Sequence, residues 1–276
     1  MDTPRTATLR VPGAHLHHEV RGTGPVLLLI PGGSGDGGQF SAVADALADR
    51  FTVVTYDRRG YSRSPLHGPV HDDQRLAEDR EDVHRLLTHL THQPAHVFGS
   101  SSGAVVALDF LARHPTQIAT AVVHEPPVVT LLPDVTDLLN LLDEVHHTYR
   151  RSGVDQALRQ FTGAIGLDVP SVDEARLPAP LAEVRQRVRG NLPFWLEHEL
   201  RQYPRAVPDV DALHAWRNRL VLAVGQDSRE QFPHRATTAL ADRLGVPSVA
   251  FPGGHLGFAT RAPEFAERLA TVLGRG

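Results

Sequence analysis

The chain has 276 residues, 41% of them hydrophobic, and a formal net charge of -4 at pH 7. That length and apolar content suit one large domain, or a core with an insertion, and argue against disorder. Cysteine and lysine are both absent, which excludes disulfides, thiolate metal sites, cysteine nucleophiles and lysine Schiff bases, and no basic run interleaved with aromatics is present to track a phosphate backbone.

No basic-then-apolar leader opens the sequence, and no apolar run approaches the roughly 18 residues of a membrane span. The expectation is a soluble, cytoplasmic protein that binds neither nucleic acid nor membrane. Residues 6–11 and 15–21 predict a β-hairpin, and the apolar run 26–30 predicts a buried strand. Helical spacing of Phe40, Val43, Ala44 and Leu47 covers 40–50, and a strand follows at 51–56. Residues 72–90 predict a helix with Leu76, Val83, Leu86, Leu87 and Leu90 as its apolar stripe. A strand at 95–98, a helix at 103–113 and a strand at 119–124 continue the alternation. From 128 to 213 the pattern changes to helical segments broken by Pro and Gly. Strand–helix alternation then resumes at 220–224, 235–244, 248–251 and 263–273. This predicts an α/β fold whose mostly parallel central sheet is flanked by helices, with a core from 1–127 and 214–276 and an inserted helical cap, or lid, at 128–213.

Gly99-Ser100-Ser101-Ser102-Gly103 matches G-x-S-x-G, and it falls between a predicted strand and a predicted helix. That context points to a nucleophilic serine, Ser101, on a sharp strand-to-helix turn whose flanking glycines permit close packing. A Ser/Gly turn capping a helix would give the same pentapeptide. The helix start aims free N–H groups and a positive dipole end at the site, so the Ser102 amide is the natural first oxyanion donor. The second is expected from the glycine-rich loop 31–38 after the third strand, at Gly33. That loop lacks the lysine and spacing of a phosphate-binding loop. Among 17 histidines, His255 stands out because it lies in the loop between the last predicted strand and the last helix, where the base of such a triad belongs. Two carboxylates compete as its partner: Asp227, after the strand at 220–224, and Glu125, at the end of the strand at 119–124. His84, His89 and His92 lack the i, i+4 spacing of a helical zinc site, and no metal site is expected.

Gly22-Thr23-Gly24-Pro25, the glycine loop, Gly99 to Gly103, His124-Glu125-Pro126, Phe194-Trp195 with Tyr203-Pro204-Arg205, and Pro252-Gly253-Gly254-His255 together resemble α/β-hydrolases related to zearalenone lactonase. The resemblance implies the α/β-hydrolase fold, a triad of Ser101, Glu125 and His255, oxyanion donors Gly33 and Ser102, and Trp195 as a cap residue contacting substrate. It favours Glu125 over Asp227 as the acid, because the acid of that lactonase is a glutamate the same distance beyond its serine. Outside Trp195 the cap matches poorly. The expected activity is hydrolysis of a small hydrophobic ester or lactone through an acyl-enzyme, extending to a zearalenone-type macrolactone, with no cofactor or metal required. A general carboxylesterase, a cofactor-free haloperoxidase or perhydrolase, and a ligand-binding receptor built on the same scaffold are the alternatives.

Overall fold

Short runs rich in Val, Leu and Ile form the strands, and amphipathic stretches form the helices that cover them. A computed structural model describes residues 3–167 and 177–274. Residues 168–176 of the expected cap, and 1–2 and 275–276 of the expected core, lie outside the described residues. The strands are β1 (Arg5–Val11), β2 (Ala14–Arg21), β3 (Val26–Ile30), β4 (Thr52–Tyr56), β5 (Ala95–Ser100), β6 (Ile118–His124), β7 (Leu220–Gly225) and β8 (Ser248–Phe251). They form one sheet in the order β1-β2-β4-β3-β5-β6-β7-β8. The β1–β2 and β2–β4 pairs are antiparallel, and all others are parallel.

The helices α1 (Ser41–Leu47), α2 (Arg75–Leu90), α3 (Ser102–Arg113), α8 (Phe232–Leu244), α9 (Gly257–Thr260) and α10 (Ala262–Leu273) cover the two faces of the sheet. Because side chains alternate along a strand, Leu27 and Leu29 of β3 join a layer with α1 and α10, including Val43, Phe265 and Leu269. Leu28 and Ile30 enter the opposite layer with α2, α3 and α8, including Val83, Leu108 and Leu240. Between β6 and β7 the described residues form the helices α4 (Val135–Ser152), α5 (Val154–Ile165), α6 (Ala179–His198) and α7 (Val210–Ala215), with no strand among them. Leu142, Val145, Ala157, Leu196 and Leu200 give this excursion a small apolar core of its own, whereas Leu213 of α7 packs in the layer beside α3 and α8. No helix among the described residues is long and apolar enough to cross a membrane.

The fold is the α/β-hydrolase fold. Its sheet order reverses between β3 and β5, where the chain crosses first to β4 on one side and then back to β5 on the other. Such a switch point opens a crevice at the carboxyl ends of the two strands, and here these ends carry the 31–38 loop and Ser101. Several element limits differ from the sequence reading. The strand at 95–98 extends to Ser100, since Gly99 and Ser100 still pair with Val123 and His124. The helix predicted from 40 opens as a 3-10 turn, Gly37–Phe40, capped by Asp36, whose side chain accepts from the Gly38 N–H at 2.8 Å.

Candidate active site

Ser101 sits between β5 and α3 with φ 56° and ψ -124°, a backbone conformation that L residues rarely adopt. Two close approaches hold it there. A Cβ on Gly103 would overlap the carbonyl oxygens of Ile30 and Pro31, and one on Gly99 would overlap the Gly103 carbonyl, so neither position tolerates a side chain. The Ser101 N–H donates to the His124 carbonyl at 2.9 Å, extending the β5–β6 ladder by one residue. Ser102 is the first residue of α3, so its N–H has no intrahelical acceptor.

Glu125 repeats the pattern one strand over. It follows β6 directly with φ 51°, and its N–H donates to the Ala223 carbonyl at 3.1 Å. Its carboxylate is fully buried. Oε1 accepts from the Gly225 N–H at 2.8 Å and from the Ser228 hydroxyl, while Oε2 lies 2.7 Å from His255 Nδ1. His234 Nδ1 stands 3.4 Å from Oε1, close enough to act electrostatically. Burial alone would raise the Glu125 pKa, but the His234 and His255 rings facing the carboxylate outweigh it and hold the group well below the usual carboxylate range. An ionised Glu125 can only accept, so the proton shared with His255 resides on Nδ1, leaving Nε2 of the neutral ring as an acceptor. Among the described residues no hydrogen bond joins Ser101 Oγ to His255.

Asp227 is exposed and its side chain makes no hydrogen bond among the described residues. Its backbone N–H donates to Gly253 at 3.1 Å, so it borders the His255 loop without turning its carboxylate inward. The structure thus brings Glu125, and not Asp227, to His255. His124, one residue before Glu125, is buried among Phe98, Phe251 and Phe265, with Nδ1 3.1 Å from Ser100 Oγ. Burial pushes its pKa down to about 4, so it stays neutral beside the buried carboxylate.

The loop after β3 closes the other side. Gly32 lies against the Ser101 side chain, and a Cβ on Gly33 would collide with the Trp195 indole. The Gly33 N–H makes no hydrogen bond among the described residues. Trp195 meets Phe161 of α5 edge-on, ring centroids 5.2 Å apart.

Sequence reasoning missed the polar frame behind these groups. Arg58, wholly buried after β4, donates to Glu199 Oε1 at 2.9 Å, to Tyr203 Oη at 2.9 Å, to the Gly32 carbonyl at 3.2 Å and to Asp79. Arg187 pairs with buried Asp36 at 2.7 Å, and Asn191 donates to the Ser34 carbonyl at 2.6 Å. Arg187, Asn191, Trp195 and Glu199 recur every four residues, one face of α6 and its C-terminal extension. That spacing was the available signal.

A serine on a strained strand-to-helix turn after β5, with a buried carboxylate at the end of β6 and a histidine in the loop after β8, is an arrangement of the hydrolase class. A family model described as alpha/beta hydrolase fold matches residues 25–194, and the chain belongs to that family. It is 38% identical to the uncharacterized hydrolase YraK of Bacillus subtilis, over 98% of this chain and 97% of that one. It is 28% identical to a zearalenone hydrolase of Bionectria ochroleuca, over 95% of each chain. A thermophilic esterase from Thermogutta terrifontis shares the fold at 21% identity, with a TM-score of 0.73 and 99% of each chain covered.

Proposed function

We propose that the chain is a serine hydrolase that cleaves carboxylic esters or lactones, with Ser101 as nucleophile, His255 as general base and Glu125 as the acid that orients it. The observation that carries this reading is the 2.7 Å contact between Glu125 Oε2 and His255 Nδ1, at the strand ends beside the strained Ser101. It fixes the His255 tautomer with Nε2 free to take a proton. Substrate binding closes His255 Nε2 on Ser101 Oγ, a contact that is commonly loose before substrate arrives. Ser101 attacks the carbonyl, and the N–H groups of Gly33 and Ser102 take the oxyanion. His255 then protonates the departing alkoxide, and water, deprotonated by the same ring, hydrolyses the acyl-enzyme. In a lactone the alkoxide stays tethered, so the first product is an acyl-enzyme still carrying its own alcohol.

The helical excursion serves in this reading as a cap over the crevice, with the Trp195 and Phe161 rings on its inner side. Apolar rings over an oxyanion loop suit a hydrophobic acyl or alcohol part. Zearalenone hydrolases among the relatives support a macrolactone of that type as the first substrate to try. The test is multiple-turnover hydrolysis of zearalenone and a panel of small esters and lactones, read by mass spectrometry, for wild type and Ser101→Ala. Serine-dependent ring opening is the expected result. Serine-dependent cleavage of simple esters alone would make this a general carboxylesterase, and rates unchanged in Ser101→Ala would end the serine mechanism.

A further inference from the structure

A trans peptide is rigid and planar, so the direction of the Gly33 N–H is set by whatever holds the Gly32 carbonyl at the other end of the same peptide unit. That carbonyl accepts from the Gly35 N–H at 2.9 Å and from Arg58 Nη1 at 3.2 Å. The Ser34 carbonyl, which shares its peptide unit with that Gly35 N–H, accepts from Asn191 Nδ2 at 2.6 Å. Both side-chain donors are themselves held in place. The Arg58 guanidinium is wedged between Asp79, Glu199 and Tyr203, and Asn191 Oδ1 accepts from the Ser62 N–H at 2.9 Å. Glu199 also accepts from the Tyr61 hydroxyl at 2.5 Å. Two of these groups, Asn191 and Glu199, come from α6 and its C-terminal extension, so the helix over the crevice also fixes the loop beneath it.

We propose that Arg58 and Asn191 are positioning residues for the oxyanion hole, Arg58 holding the Gly32 carbonyl directly and Asn191 holding the Ser34–Gly35 peptide whose N–H bonds the same carbonyl, with Glu199 holding Arg58 in place from the C-terminal end of α6. A cation on the Gly32 carbonyl also polarises the shared peptide and makes the Gly33 N–H a stronger donor. This role rests on Gly33 being an oxyanion donor, as the proposed function has it.

The test uses Asn191→Asp and Arg58→Lys in the full chain. Aspartate keeps the acceptor for Ser62 but loses the donor to Ser34. Lysine keeps the charge but lacks the planar fork that reaches Gly32 while holding two carboxylates. Active sites are counted by the final stoichiometry of fluorophosphonate labelling at Ser101. Per labelled site, kcat on a p-nitrophenyl ester is expected to fall about 10- to 100-fold. KM is expected to stay within about threefold. Affinity for a trifluoromethyl ketone, which forms a tetrahedral adduct on the serine, is expected to fall in parallel with kcat, while affinity for the matching methyl ketone is unchanged. A surface change on the same helix, Arg189→Ala, is expected to move none of these. Wild-type kcat and adduct affinity in Asn191→Asp, or an equal loss toward both ketones, would overturn the proposal even if Arg58→Lys failed to fold. Wild-type protein that neither labels at Ser101 nor turns over esters would remove the proposed function, and this role with it.

Discussion

Glu125→Gln changes one atom in the site, and the structure dictates how that atom is placed. The Gly225 N–H can only donate, and it points at Oε1 from 2.8 Å with the Ser228 hydroxyl beside it. The glutamine carbonyl must therefore occupy the Oε1 position, which turns its NH2 toward His255 Nδ1. Two donors cannot face each other, so His255 gives up the Nδ1 proton and carries it on Nε2, where it blocks the ring from accepting the Ser101 proton. A forced wrong tautomer in a serine triad lowers kcat about 10⁴-fold, or about 5.5 kcal/mol of transition-state stabilisation. The assay is p-nitrophenyl ester turnover at neutral pH, with a thermal melt to show that the variant is folded. Asp227→Asn, altering an exposed carboxylate that makes no hydrogen bond or ion pair among the described residues, is expected to stay within about twofold of wild type. A loss of less than about tenfold in Glu125→Gln, or a larger loss in Asp227→Asn, would refute the reasoning.

Ser101→Gly removes a side chain from a φ 56° backbone, so it is expected to abolish turnover yet stabilise the fold by about 1 kcal/mol, strain relief outweighing the entropy cost of glycine, as read from urea midpoints. His124, depressed to about 4 in the fold, is protonated only in the unfolded chain between that value and its ordinary value of about 6.5. The unfolded state binds the extra proton, so stability falls on acidification through this window; about 2 kcal/mol should be lost from His124 between about pH 7 and pH 5, and His124→Phe should lack that loss in urea unfolding at the two pH values. Asp82→Ala removes two 2.7 Å charge-assisted contacts from Arg59 and, among the described residues, leaves it ion-paired only with Glu78 at 2.9 Å, so it is expected to cost about 1.5–3 kcal/mol in chemical unfolding while leaving kcat per folded molecule unchanged.

The strands and their order of use were legible because buried parallel strands are short apolar runs, and the run at 26–30 needs no partner to identify it. Ser101 and His255 could be singled out because a serine between strand and helix, and a histidine between the last strand and the last helix, occupy positions where such a fold carries a nucleophile and a base, the roles proposed for them. The choice between Glu125 and Asp227 was not decidable from spacing, since both follow a strand; it depended on resemblance, and in the structure the difference is one of direction, inward against outward. Arg58 gave no local sign at all. Its bond to Glu199 spans 141 positions, and a buried arginine reads in sequence like any exposed one until its carboxylate partners are known. The Arg187, Asn191, Trp195, Glu199 series was visible in principle, but a polar stripe on a helix looks the same whether it faces water or a glycine loop.

The amides of Ser101 and Glu125 both continue the sheet ladder, bonding to His124 and Ala223. Ser101 and Glu125, the proposed nucleophile and acid, are therefore spaced by backbone hydrogen bonds of the buried strands β5, β6 and β7, and not by a surface loop. Such bonds open only with the cooperative unit they belong to. On heating, the geometry between these two groups should persist until the sheet itself gives way, so that loss of catalytic competence and collapse of the fold become a single event, with no warm interval in which an intact protein has already lost its acid.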